Sequence, residues 1–162
     1  TDLLESLDTA LASLRNSQQI EGAHIAELCA GHLAEINERQ NAAAKLAAAQ
    51  PERIRERLTE RLAVVLEKGA VPEERLSQEV AMLAVKADVR EELDRLAAHV
   101  ISAQAVLTEG GLLGRKLDSL AQELFREANT LCSKSSNLEL TQSGLELKAA
   151  INHLREQVQN LE

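Results

Sequence analysis

The stretch GRKLDSLAQELFREANTLCSK (Gly114–Lys134) decides how the chain is read. With the preceding residue, it places Leu113, Leu117, Leu120, Leu124 and Leu131 along one stripe at helical spacing. That is the pattern of an amphipathic helix with one face in a core. The remaining positions carry more than solubility requires. Arg115, Asp118, Gln122, Arg126 and Asn129 share a second face, and Lys116, Glu123, Glu127, Thr130 and Lys134 share a third. Asn and Thr are weak helix formers, so their presence in a helix interior points to a role beyond the helix itself. Within the stretch, four basic residues stand against three acidic ones, while the whole chain carries a net charge of −8. The stretch is therefore a relatively basic patch. It either grips an anion or builds a polar network between helices or subunits.

Outward from this helix the chain reads as further helices. Asp2 caps a helix that begins at once and runs to about Ala49. Leu4, Leu7, Leu11 and Leu14 keep a 4-3 spacing that continues through Gln18, Glu21, Ile25, Leu28 and His32, a heptad seam that turns polar in its middle. The segment NAAAKLAAAQ (Asn41–Gln50) is a good helix former with little apolar bulk, suited to an exposed arm or a slim packing face. Pro51 suits the first turn of a second helix, with Ile54, Leu58, Leu62 and Leu66 on its apolar face and Gly69 as its stop. Pro72 opens a third helix whose seam shifts between Ala87 and Val89, which reads as a stutter. Gly110 and Gly111 end it, and the opening stretch follows from about Leu112. After Ser135, Ser136 and Asn137, a last helix carries Leu140, Leu147, Ile151, Leu154, Val158 and Leu161. The expectation is an all-α fold of about five long helices in an extended, coiled-coil-like bundle, oligomeric, with a helical arm over 1–71 and a second domain over 72–162.

Composition supports this reading. The chain of 162 residues has one Phe, no Trp and no Tyr, so Leu and Ala must supply the core. The negative charge argues against a passive nucleic-acid coat but leaves room for a local basic groove. Cys29 and Cys132 form no CxxC pair and read as reduced, small apolar residues of a cytoplasmic protein. The apolar runs are too short to span a bilayer. No phosphate-binding loop, dinucleotide fingerprint, HExxH or nucleophile elbow is present. Without an aromatic platform, the chain does not read RNA by stacking bases.

Ahead of the opening stretch, Asp88, Glu92, Arg95 and His99 fall on one helical face, and Glu91 reaches Arg95 at i, i+4. One reading is a solvated salt-bridge face worth a few tenths of a kcal/mol per pair, of the order of ~0.3. The other is a set of hard oxygen ligands beside an imidazole, suited to Mn²⁺ or Mg²⁺ at a phosphodiester. His24, His32 and His153 have no ligand-like spacing and read as surface or seam residues. In the last helix, Lys148, Asn152, Arg155 and Gln159 share a face that ends in LREQVQNLE.

Three blocks, ADVREELDRLAAH (Ala87–His99), the Gly114–Lys134 stretch and the closing LREQVQNLE, together resemble the YicC family in order and spacing. RLSQEVAMLAVKADV (Arg75–Val89) and Glu21-Gly22 resemble its weaker upstream motifs. The chain departs from the family pattern at Ser119 and near Ala103, where Phe is usual, at Gln18, where Arg is usual, and at Asn152, where Glu is usual. The resemblance implies a bacterial endoribonuclease dependent on a divalent cation, with Mn²⁺ favoured and Mg²⁺ possible. It also implies a homo-hexamer that opens and closes around RNA, and an α/β half upstream of the helical region that this chain lacks. On that reading Asp88, Glu91, Glu92 and Asp118 are candidate metal ligands. His99, Glu123 and Glu127 are candidate catalytic groups, with His99 moving a proton at the scissile phosphate. Arg115, Lys116, Arg126, Lys134 and Arg155 are candidates for holding the RNA backbone. The alternative is a non-catalytic oligomerisation or adaptor module in which the same charges join subunits. A plain coiled-coil spacer fits the crowded Gly114–Lys134 helix least.

Overall fold

A computed structural model describes residues 2–65, 73–109 and 113–160. Among these, every regular element is a helix: α1 (Asp2–Ala48), α2 (Gln50–Val65), α3 (Glu73–Lys86), α4 (Arg90–Glu109), α5 (Gly114–Lys134) and α6 (Leu138–Val158). The expected boundary at 71/72, the helix stop at Gly69, Pro72 as a helix start, and the pair Gly110 and Gly111 lie outside the described residues.

The sixth helix arises where the sequence shows its shift. The stretch expected to be one stuttered helix is broken at Ala87–Val89. Asp88 Oδ1 accepts the backbone N–H of Arg90 at 3.0 Å, and the Asp88 carboxylate pairs with the Arg90 guanidinium. A side-chain acceptor of this kind satisfies a free N–H of a new helix start and competes with continuation of the old helix. Ala87 and Val89 are buried on either side and anchor the break. Asp88 therefore sits in a connector and not on the helical face of Glu92 and His99, which corrects the four-residue face expected from spacing.

The core is built by α4, α5, α6 and the second half of α1. Along α1 the buried side chains are Ile25, Cys29, Leu33, Ile36, Gln40 and Ala43. The expected heptad seam keeps Ile25 but loses Leu28, which is 39% exposed, and gives way to Cys29 and Leu33, both at 0%. The physical reason is the partner. This part of α1 lies against both α4 and α6, and the stripe takes one extra residue after Ile25 before Cys29, Leu33, Ile36, Gln40 and Ala43 resume a 4-3 spacing in the new register. The Ala-rich segment is the slim packing face: Ala43 is fully buried, and Ala44, Leu46 and Ala47 pack on the core. Gln40 enters with them because its Nε2 donates to the Leu93 carbonyl at 3.0 Å. Before Ile25 the helix runs free, with Leu4, Leu7, Leu11 and Leu14 all exposed. At 1.5 Å per residue that projecting part is about 35 Å long.

α5 and α6 form a tight antiparallel pair. Asn137 caps α6, its side chain accepting from Leu140 N at 2.7 Å. Gly144 lets the helices meet closely, since a Cβ there would stand 2.6 Å from Cys132 Sγ and 2.8 Å from Leu131 Cδ2. Leu117, Leu124, Leu131, Leu140, Leu147, Ile151 and Leu154 are essentially fully buried, each contributing about 1.5–3 kcal/mol. α2 and α3 pack on each other, and α2 ties to the α5–α6 turn through Arg53 with Glu139 and Arg57 with the Ser136 carbonyl. Both cysteines are free thiols, and burial pushes both thiol pKa values up. Among the described residues no helix is long and apolar enough to cross a membrane.

Candidate functional site

The interface of α4 with α5 is polar along one edge. Glu92, Arg95 and His99 lie along α4 at spacings of three and four, so they form a row. Glu123, Glu127 and Lys134 form the opposing row on α5. At one end Lys134 Nζ donates to Glu92 Oε1 at 2.7 Å. In the middle Arg95 Nη1 reaches Glu127 Oε1 at 3.4 Å and its other terminal nitrogen pairs with Glu91. At the far end His99, Glu123 and Glu127 each offer one ligand atom, all within 4.8 Å of one another. Arg126 Nη1 stands 3.3 Å from Glu123 Oε2 on the outer side.

Two carboxylates of this row are buried, Glu92 at 4% exposure and Glu127 at 5%. Glu127 falls beside Leu124, Ala128 and Leu131 on the buried stripe of α5, whereas the spacing had placed it on a purely polar face. A buried carboxylate persists only when paired, and here the partners are cations. Glu92 raises the pKa of Lys134, chiefly through their hydrogen bond. The negative charge of Glu91 and then of Glu127 raises that of Arg95. Glu92 Oε2 is buried with no hydrogen-bond partner among the described residues.

The candidate groups separate in space. His99, Glu123 and Glu127 come together. Asp88, Glu91, Glu92 and Asp118 do not form a group of their own. Asp88 is held by Arg90, whose hydrogen bond brings its carboxyl pKa down to about 2. Glu91 is on Arg95, Glu92 is on Lys134, and Asp118 accepts from Gln122 Nε2 at 2.7 Å. Among the basic candidates, Lys134 and Arg126 flank the row. Arg115 is exposed near the start of α5, and Lys116 stands 3.8 Å from Glu109. From Arg115 to Lys134 the basic positions span about 28 Å of helix. Arg155 instead covers the Phe125 ring on α5 at 5.8 Å, which it shares with Lys148 at 5.3 Å. Sequence reasoning placed Arg95 on the right face but gave it no site role. Its signal is the spacing that puts it between Glu92 and His99.

The donor set fits a divalent cation. One imidazole and two carboxylates are the hard and borderline ligands that Mn²⁺ and Mg²⁺ accept, and three protein ligands leave positions open for water or phosphate oxygens. The same groups also suit proton transfer.

Comparison with known proteins assigns the chain to a family. The family described as "Endoribonuclease YicC-like, C-terminal" matches residues 43–162. A protein named "Probable endoribonuclease YicC" from Haemophilus influenzae is 54% identical over 89 residues, covering 55% of this chain and 31% of the relative. Another of that name, from Clostridioides difficile, is 34% identical over 168 residues, covering 99% of this chain and 55% of the relative. The chain thus spans about half or less of the length of these relatives. With the matching region embracing α4, α5, α6 and the polar row between them, the chain belongs to the YicC-like endoribonuclease C-terminal family.

Proposed function

We propose that this chain is the helical part of a divalent-metal-dependent endoribonuclease that cleaves RNA as a homo-oligomer in the cytoplasm. The observation that carries the reading is the convergence of His99, Glu123 and Glu127 within 4.8 Å. Glu123 and Glu127 would hold the metal, with Mn²⁺ favoured and Mg²⁺ acceptable. Bound there, the metal supplies Lewis-acid stabilisation of a phosphodiester and a water of lowered pKa. Glu127 is fixed by Arg95 and by burial, so one ligand is rigidly placed while Glu123, closer to solvent, adjusts. His99 either completes the ligand set or moves a proton at the scissile phosphate. Asp88, Glu91, Glu92 and Asp118, expected as ligands, instead orient cations and cap or brace helices. Arg126 stands beside the cluster and Lys134 at the opposite end of the row, both to meet backbone phosphates, and Arg115 and Lys116 extend that track along α5.

The test is cleavage of a labelled single-stranded RNA in Mn²⁺, in Mg²⁺ and in EDTA. Cleavage in the metal, none in EDTA, and loss on Glu123→Gln with the fold intact are expected. Undiminished cleavage by Glu123→Gln and His99→Ala together would sink the assignment.

A second reading, a helical oligomerisation or adaptor module, is favoured by the exposed leucines of the free α1 arm, from Leu4 at 69% to Leu11 at 45%. The two readings join if the arm assembles the hexamer that the family resemblance implies. Sedimentation of Leu7→Gln/Leu11→Gln separates them. A smaller assembly that still cleaves RNA leaves the catalytic reading in place, whereas a smaller assembly of a protein that never cleaves favours the adaptor.

A further inference from the structure

Beyond the His99 cluster, a cleft of about 290 Å³ opens where α2 and α3 approach the end of α5. Ile54, Leu58 and Leu83 give it an apolar wall, while Arg57, Lys86 and Lys134 bring three cations to its rim. Among the described residues lining it none is acidic. Lys134 is paired with Glu92, so Arg57 and Lys86 carry the net positive charge of the cleft in a chain of net charge −8.

We infer that this cleft holds one nucleotide of a bound RNA strand, its flanking phosphates against Arg57 and Lys86 and its ribose and base against Ile54, Leu58 and Leu83. The inference rests on the ribonuclease reading above and names the part of the molecule that grips the strand away from the cut. Three features support it. The volume lies at the lower limit of small-molecule sites, about 300 Å³, which suits a single nucleotide and not a larger cofactor. Arg57 Nη1 donates to the Ser136 carbonyl at 3.1 Å, a neutral acceptor that fixes the guanidinium without cancelling its charge. Lys134 belongs to both places: it lines the cleft and bonds Glu92 at one end of the row whose other end is the His99 cluster. From Glu92 to His99 the row covers about 10 Å of α4, so a strand seated in the cleft passes along the row toward the cluster. Among the described residues no aromatic ring lines the cleft, so the grip is on the backbone and does not read the base.

The experiment is fluorescence anisotropy of a short labelled single-stranded RNA, in EDTA so that nothing is cleaved, across a salt series. For Arg57→Gln/Lys86→Gln the slope of log affinity against log salt becomes shallower by about 1.4, or about 0.7 for each lost phosphate contact. The charge-preserving pair Arg57→Lys/Lys86→Arg keeps the slope, as does Arg15→Gln on the distant arm. Circular dichroism confirms that each variant is folded. An unchanged slope in the double Gln variant overturns the inference. So does an unchanged slope accompanied by saturable binding of 5′-AMP that the double variant loses, which assigns the cleft to a free nucleotide. Absence of RNA binding by the unsubstituted protein removes the ribonuclease reading and the cleft together. A shallower slope with no metal-dependent cleavage keeps the cleft and removes only the catalytic assignment.

Discussion

The two faces of α5 are built on opposite principles. Toward α6 the contact is apolar and close, with Leu124, Leu131, Leu147 and Ile151 buried and Gly144 pressed against Cys132. Toward α4 the edge carries Glu92, Arg95, His99, Glu123, Glu127 and Lys134. The first face holds the helix by area removed from water. The second holds charges at fixed separations, and a polar row of this kind adds little net stability over a well-packed apolar one. A helix pair needing only stability would repeat the α6 contact on the α4 side. Spending buried positions on Glu92 and Glu127 makes sense where the charges themselves are used.

That contrast can be broken most sharply on the polar side. His99→Ala or Glu123→Gln is expected to lower RNA cleavage about 100-fold or more while the thermal midpoint moves little, since neither group is in the apolar core. A fall in Tm matching that of a core substitution would make the row structural. On the apolar side the reverse is expected. Leu124→Ala costs about 2–5 kcal/mol from lost burial and a residual cavity, read by denaturant unfolding. Gly144→Ala sharpens the same point. The added methyl must displace Cys132 Sγ and Leu131 Cδ2 and costs about 1–3 kcal/mol, read as a lowered Tm.

Lys134→Met tests the join between the two principles. It leaves the Glu92 carboxylate, whose side chain is 6% exposed, without its cation, and lowers the thermal midpoint by less than a fully buried pair would because Lys134 is partly screened by solvent. Glu92→Met in the same chain restores part of that loss, a coupling read from the double-mutant cycle.

The smallest effect is expected at Asp88. Its carboxyl pKa is lowered in the fold, so its contribution is complete above the ordinary carboxylate value of 3.8 and is lost as pH falls through about 2. Asp88→Asn therefore flattens the acid limb of a Tm-against-pH curve between about 4 and 2 and leaves the neutral region nearly unchanged. The exposure of Asp88 at 36% and Arg90 at 83% keeps this effect small.

Much of the fold was legible from local pattern. The stripe through Leu117, Leu124 and Leu131, the proline at the start of α2 and the Ser-Ser-Asn turn before α6 all act within a few residues of chain, which is the range over which spacing and capping operate. The break at Asp88 was visible only as a shifted seam, because a stutter and a restart produce the same spacing and differ in where one side chain accepts a hydrogen bond. The buried course of α1 departs from the expected seam after Ile25 by one residue of register, which is set by where α4 and α6 lie and not by the spacing alone.

By itself the sequence determined an all-helical chain, the family resemblance and the roster of polar groups, since periodicity and residue type are properties of the chain. Only the tertiary structure decided which of those groups meet. The sequence offered Asp88, Glu91, Glu92 and Asp118 as metal ligands and His99, Glu123 and Glu127 as catalytic groups, and the crossing of α4 with α5 brought together the second set. Arg57 and Lys86, on helices with no shared sequence signal, became neighbours of Lys134 in the same way. Such meetings join residues separated by tens of positions in the chain, and they are fixed by how apolar stripes pack, a relation that no local pattern of charges encodes.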